Sequence, residues 1–542
     1  MIFLTPLRLC VVLAAIFTSA LNAQQPDAVK RLLDRIVKQE QDFLQQLKTR
    51  TPLLETYIQE SLSPSGDQAS QRDHYFLGRL DLKSGLSYTP IVVRSDAQKR
   101  SRNWTLRRSA VSFEPTGFAQ MMYVDAVSFN TETYRFEYVR REFLGGVRCV
   151  VFDVNPVNAK TGGKFVGRIW AEEQDSNIVR FNGTYTKGKG TDLYFHFDSW
   201  RTDIGDNRWV PAFTYVEESA GAEANGGLTF KAQTRVWGYN SGQAARVDEL
   251  TKLLVEMEAP VNQTEAPADS SPLESQRSWE RQSEENVLDR LERSGLLAPK
   301  GEVDAVLNTV INNLIVTNDL NIEARARVLL TTPLETFAIG RTIVISRGLI
   351  DVLPDEASLA MVLSDELAHV ALAHRTDTQF AFHDQTMFSD HELLQRFRFS
   401  RSPEEIAAAG AKAVEILAKS PYKEKLSNAG LFLKAISTKA SQFPNLIRAN
   451  LGNQLADGAT LTRMGALANG APMLDELKLE QIPALPLGSR IKLDPWTDAI
   501  GLIKTKPVSL LSSREKLSFE IAPLSPHLTR VAKSTPMETD GR

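Results

Sequence analysis

The sequence predicts an α+β protein in which an antiparallel β domain precedes a mainly helical one. Three observations carry this reading. Between about Tyr75 and Tyr239 apolar and polar residues alternate with period two, as in Tyr134-Arg-Phe-Glu-Tyr-Val139, and turn pairs such as Asn182-Gly183 and Asp206-Asn207 separate the runs. The stretch Glu258–Pro272 is rich in Pro, Ser, Ala and acids and has little to bury, which marks a linker. Beyond it apolar residues recur at three- and four-residue steps, the spacing of amphipathic helices.

The elements follow in chain order. Arg8, the apolar run Leu9–Phe17 and the small or polar stretch Thr18–Ala23 have the layout of a secretory signal, so residues 1–23 are expected to be removed and the protein exported to a periplasm or the extracellular space. Cys10 stands at the start of that run rather than at its end, which argues against a lipoprotein signal. It would leave with the signal, so Cys149 has no partner for an internal disulfide. Residues 24–74 form the next block, with a helical stripe of Val29, Leu32, Leu33, Ile36, Val37, Phe43, Leu44 and Leu47 that ends before Pro52. The β domain is placed at 75–255, the linker at 256–285 and the helical domain at 286–542. In that last block Val303, Val306, Leu307, Val310, Ile311 and Leu314 form one stripe, Leu359–Ala373 another, and Thr342–Ser346 a short extended segment.

Composition narrows the function. With 42% hydrophobic and 24% charged residues over 542 positions, the chain is globular and long enough for several units of roughly 100–200 residues. Its 63 basic and 66 acidic side chains leave a net charge of −3, which provides no global positive field and excludes nucleic acid as the expected partner. The locally basic Arg100–Arg108, with Trp104 inside it, keeps contact with an anionic membrane surface open, although a solvated face is its simpler reading. Gly183–Thr191 imitates a phosphate loop but has Gly190 where Ser or Thr is required, so it reads as a hairpin loop. Cys149 lies in the apolar run Val147–Phe152 and reads as a buried structural thiol.

The stretch Asp355–Arg375 carries the chemistry. Asp365 and His369 lie four apart on the expected helix and so share a face, with Glu366 beside them. In a His-Glu-x-x-His helix two imidazoles grip a zinc ion at that spacing and the glutamate takes a proton from the metal-bound water. Here the first histidine is an aspartate. His391-Glu-Leu-Leu-Gln395 is a near miss without the apolar lead-in, and His391 and His383 read as surface residues.

Two resemblances add to this. Ala338–Ile350, the lead-in Asp355–Ala360 and His374-Arg375 resemble the HtpX and CAAX-prenyl-protease family of zinc metallopeptidases over roughly Gly301 to Gly465, which implies a zincin-like fold. The resemblance implies Glu366 as general base and Asp365, His369 and a residue from a Glu-x-x-Ala-Asp pattern as metal ligands. That pattern matches Asn453-Gln-Leu-Ala-Asp457, which puts Asn453 at the third ligand and Asp457, with His374, around the ligands. Long insertions leave Glu415 or Glu424 as alternatives for the third position. The altered set still sums to −1, but an amide oxygen and a single imidazole suit zinc poorly, so weak or absent zinc binding is expected, with manganese or magnesium as harder alternatives. Phe143–Val154, Phe165–Ala171 and Asn177–Gly183 resemble the hairpins of lipoprotein-carrier (LolA/LolB-like) domains, which implies a curved sheet and an apolar or lipid ligand. Two functions follow as expectations. One is an envelope protein whose peptidase-like domain has lost catalysis and binds a client; the other is a working metal-dependent endopeptidase acting on protein or peptide substrates.

Overall fold

The computed structural model describes residues 28–62, 70–83, 85–92, 113–158, 160–187, 195–218, 228–240, 271–376, 378, 381–382, 395–506 and 508–531. Among these no helix is long and apolar enough to cross a membrane. The signal segment, Arg100–Arg108, residues 256–270 of the expected linker, His383 and His391 lie outside the described residues. The chain is α+β, as the sequence predicts, with a large antiparallel sheet content before a helical region.

Two compact units form. One is drawn from residues up to Thr49, Gln120–Pro211 and Pro526 onwards; the other from Arg50–Ala119 and Ala212–Ser525. The units therefore do not follow the expected sequence blocks. Residues 53–62, expected in a helical block, form strand β1 (Leu53–Leu62). The stripe that suggests a helix stops at Leu47, and Leu53–Ile58 is a continuous buried run of the kind a central strand carries. Residues 272–285, expected in the linker, open a helix, because Ser271 and Glu274 build a capping box with Pro272 at its first turn.

In the first unit a helix over residues 28–47 precedes strands β4 (Tyr134–Leu144), β5 (Val147–Pro156), β6 (Phe165–Glu172), β7 (Ile178–Tyr185) and β8 (Phe197–Asp203). Each strand pairs antiparallel with the next. Phe165, Phe181, Tyr185 and Phe197 pack ring against ring on one buried face. Gly183 and Tyr185 lie within β7, and Gly190 lies outside the described residues. Arg201 makes a bidentate pair with Glu40 of the helix, both contacts at 2.7 Å and both residues buried. Cys149 is buried in β5, and burial pushes its thiol up to about 12, which keeps it an unreactive thiol at neutral pH.

In the second unit the sheet runs β3 (Ser87–Pro90), β2 (Ser70–Asp81), β1, β10 (Leu228–Trp237) and β9 (Trp209–Glu218), all antiparallel. A second, three-stranded sheet has the order β11 (Arg325–Leu329), β13 (Thr342–Ser346), β12 (Thr336–Ile339). Every residue of β12 and β13 is buried, which explains their unbroken apolar runs. Numbered from the 28–47 helix as α1, with Pro115–Gln120 as α2 and Pro272–Arg293 as α3, the unit continues with α4 (Glu302–Thr317), α5 (Arg347–Val352) and α6 (Glu356–Ala371). Helices α7 (Pro403–Ala418), α8 (Leu426–Lys439), α9 (Pro444–Ile447) and α10 (Gly465–Gly470) follow. The α4 stripe is buried as the spacing predicts, except for Val306, which is exposed.

Strands of the large sheet are built into this unit by buried polar contacts. Glu55 of β1 pairs with Arg347 of α5 at 2.8 Å and accepts from the backbone N–H and hydroxyl of Thr332. Arg347 also reaches Asp351 and the Leu330 carbonyl. Asp73 of β2 accepts from the Asn445 and Leu446 N–H groups, so a strand carboxylate caps the start of α9. The Trp237 indole donates to the Gly295 carbonyl at 2.8 Å.

Candidate functional site

Helix α6 is the centre of the helical region. Asp355 caps it, accepting from the N–H and hydroxyl of Ser358 at 2.8 and 2.7 Å, and it packs against α4, α7, α8 and β12. Because neighbours surround it, its buried residues are not confined to one stripe: Asp365, Glu366 and His369 are all buried among them. Polar side chains at such positions must find partners or remain unsatisfied.

The partner of the two acids is an arginine that the sequence reading did not single out. Arg463, which follows β14 (Ala456–Asp457) and β15 (Thr460–Leu461), is fully buried and donates from Nε to Asp365 and from Nη2 to Glu366. One guanidinium thus bridges the first two residues of the Asp-Glu-x-x-His segment. Burial by itself would lower the Arg463 pKa, but the charges of Asp365 and Glu366 outweigh it and hold the group above its ordinary value. Burial raises Asp365 above the usual carboxylate value although Arg463 lies beside it. Burial pushes His369 down to about 4, so its imidazole is neutral at pH 7. Among the described residues four atoms at this place are buried without a hydrogen-bond partner: Asp365 Oδ1, Glu366 Oε2, His369 Nε2 and Arg463 Nη1.

His374 lies against His369. Helix α6 ends in a Schellman turn, in which the His374 N–H donates to the His369 carbonyl and the Ala373 N–H to that of Val370. The turn brings the two Nδ1 atoms to 2.8 Å, one donating and the other accepting. It also forces Ala373 to φ +55°, a left-handed conformation that costs a residue with a Cβ about 1 kcal/mol. Ala373→Gly is therefore expected to stabilise the protein by about 1 kcal/mol in urea unfolding, with no change in m-value.

The other expected site residues are placed elsewhere. Glu335 gathers the N–H groups of Asn450, Leu451 and Gly452 on one carboxylate oxygen, and a Cβ at Gly452 would stand 2.5 Å from the Phe337 ring. This close approach fixes Asn453 against β12, where its N–H donates to the Thr336 carbonyl and its Oδ1 accepts from the Arg401 N–H at 2.8 Å. The Asn453 side chain makes no hydrogen bond to Asp365, Glu366 or His369. Asp457 sits in β14 with an exposed side chain and does not orient His369; β14 and β15 pair there as a short hairpin. Glu415 and Glu424 are exposed, and Glu415 pairs with Lys412 and Lys419.

These positions can be set beside known proteins. Residues 300–418 match peptidase family M48. The chain carries an M48 domain, and Asp365, Glu366 and His369 fall inside the matched span, whereas Asn453, Asp457 and Arg463 lie beyond it. No curated protein matches the chain. The crystal structure of a LolA superfamily protein from Nitrosomonas europaea aligns with 39% of this chain and 91% of its own at 10% identity and a TM-score of 0.21.

M48 peptidases are zinc enzymes, and the residues of this M48 domain fit a zinc ion poorly. Arg463 already supplies the positive charge at Asp365 and Glu366. Among the described residues no three His, Cys, Asp or Glu side chains converge as a metal-holding group. Arg463 was hard to find from sequence because a lone arginine in Thr460-Leu-Thr-Arg-Met464 has no spacing relation to the motif helix.

Proposed function

We propose that this is an exported cell-envelope protein whose M48 domain is catalytically impaired or silent and serves binding or envelope quality control. One observation carries the reading: the buried Arg463 guanidinium bonded to Asp365 and Glu366. The buried guanidinium engages one Glu366 oxygen and depends on both acids for its counter-charge. Glu366 is thereby withdrawn from the proton transfer that hydrolysis needs. The expected partners are a client protein or peptide, an apolar or lipid ligand in the β region, and a membrane surface.

A second reading is an active metal-dependent endopeptidase in which Asp365 and His369 hold the ion and Glu366 is the base. The family match and the unpartnered Asp365 Oδ1, Glu366 Oε2 and His369 Nε2 favour it. Purified full-length protein and Glu366→Gln, assayed on unfolded proteins and a peptide library with added zinc or manganese, separate the two. Equal background cleavage is the expected result. Wild-type cleavage more than about tenfold above Glu366→Gln, with metal that disappears in Asp365→Ala, would establish the peptidase.

A further inference from the structure

We propose that Arg235 is the floor of a carboxylate-binding site on one face of the large sheet in the second unit, beneath the turn at Gly488. Arg235 and Gln233 lie two residues apart on β10 and so share a face, beside Glu55 and Tyr57 of β1 and Phe213 and Tyr215 of β9. Both are more than nine-tenths buried, at 6% and 3% exposure. Arg235 Nε and Gln233 Nε2 are buried donors without a hydrogen-bond partner among the described residues. Such groups are rare because each forfeits its hydration, and a guanidinium forfeits the most. The neighbouring acids are committed elsewhere: Glu55 and Asp351 are both bonded to Arg347. The Phe213 ring, 5.1 Å from the guanidinium carbon, cushions the charge but satisfies no N–H in the plane of the fork.

The turn keeps the place beside the fork open. Gly488 is left-handed, with φ +79°, and a Cβ there would stand 2.7 Å from Arg235 Nη2. Any other residue would strain the turn and press on the guanidinium. Shape and charge then set the ligand class. A planar guanidinium presents paired N–H donors at the spacing of the two oxygens of a carboxylate, and the Gln233 amide adds a neutral donor roughly 7 Å along the strand. Burial and the Arg347 charge lower Arg235 to about 10, so the fork is cationic at neutral pH. Arg235 and Arg347 together balance Glu55 and Asp351. One further negative charge is tolerable in that setting, whereas a phosphate dianion meets the repulsion of both acids twice over. The carboxylate has two sources, a small free acid or the C-terminal end of a peptide.

The test uses the full-length protein. Isotope-labelled acetate is titrated into it in chloride buffer at constant pH and ionic strength, and binding is read by NMR line width and by melting temperature. Wild type should bind with a Kd of about 1 mM and melt roughly 2 °C higher at a tenfold excess over Kd. Arg235→Met keeps an apolar stem over Phe213 without the fork and should weaken binding at least about tenfold; Gln233→Leu should weaken it several-fold. Should Arg235→Met fail to fold, Arg235→Lys keeps the charge, loses the paired donors and should bind at least about fivefold more weakly. Inorganic phosphate should leave both readouts unchanged. N-acetyl trialanine with a free and with an amidated C-terminus separates the sources. Binding tighter than acetate by the free form alone identifies a peptide end, and binding no tighter than acetate identifies a small acid. A wild type that responds neither to acetate nor to the free peptide, a response of equal size in the Arg235 and Gln233 variants, or a phosphate response that matches acetate overturns the proposal.

Discussion

Arg463→Leu is expected to cost about 3–5 kcal/mol in the absence of added metal, the loss seen when one partner of a buried ion pair is removed. The leucine fills much of the space but leaves Asp365 and Glu366 adjacent, buried and without a counter-charge. Urea unfolding at neutral pH measures the loss directly. Two accompanying results tie it to charge rather than to packing. Adding Asp365→Asn and Glu366→Gln to Arg463→Leu should restore most of the stability, because the acids that suffer are gone. Acidification should also help the single variant. Burial already raises Asp365, and an acid whose folded pKa exceeds its unfolded one binds protons on folding. Its penalty is complete above the folded pKa and disappears as pH falls towards the unfolded value near about 4. His369 acts oppositely, since a base held down to about 4 loses stability as pH falls below about 6.5. The Arg463 charge helps to hold His369 down, so the comparison is made in a His369→Asn background, where the variant minus parent difference at each pH reports the acids. A difference that stays flat between neutral and acidic pH would point to packing alone.

The second large effect concerns where the chain can be cut. A fragment comprising residues 271–531, which begins at the linker and contains the whole M48 match, is expected to show no cooperative thermal transition. It lacks Glu55, the partner of the buried Arg347, and Asp73, which caps α9. It also lacks Gln59, which donates to the Phe519 carbonyl at 2.7 Å and accepts from the Ile521 N–H at 2.9 Å. A point substitution in the intact chain reports the same dependence. Glu55→Ala leaves Arg347 with Asp351 as its remaining acidic partner, close to a second buried arginine. Burial and the neighbouring Arg347 charge already lower Arg235 to about 10. The expected loss is about 3–5 kcal/mol by urea unfolding. A fragment that melts sharply on its own would show that the strands are an attachment rather than part of the unit.

The sequence and the structure agree where periodicity decides. The α4 stripe, the buried β13 and the motif helix follow from apolar spacing, and the Schellman turn that brings His374 to His369 lies next to them in sequence. Disagreement begins where contacts are long-range. Leu53–Ile58 is a strand because β2 and β10 flank it, and no local pattern reports a partner at Val236. The Glu-x-x-Ala-Asp pattern puts Asn453 and Asp457 beside the motif helix, but the Glu335 nest and the β14–β15 hairpin set a different path. Arg463 is the extreme case, since its meaning comes wholly from two acids 97 and 98 residues earlier.

The pairing of Glu55 with Arg347 spans 292 residues of sequence, and the whole of Gln120–Pro211 belongs to another unit between them. At roughly 5–20 residues per second, β1 leaves the ribosome about 15–60 s before its ionic partner exists. During that interval β2 and β10 emerge to flank β1, but Glu55 waits without its ionic partner. Assembly of the helical half is thus a late, high-contact-order event in the synthesis of the chain.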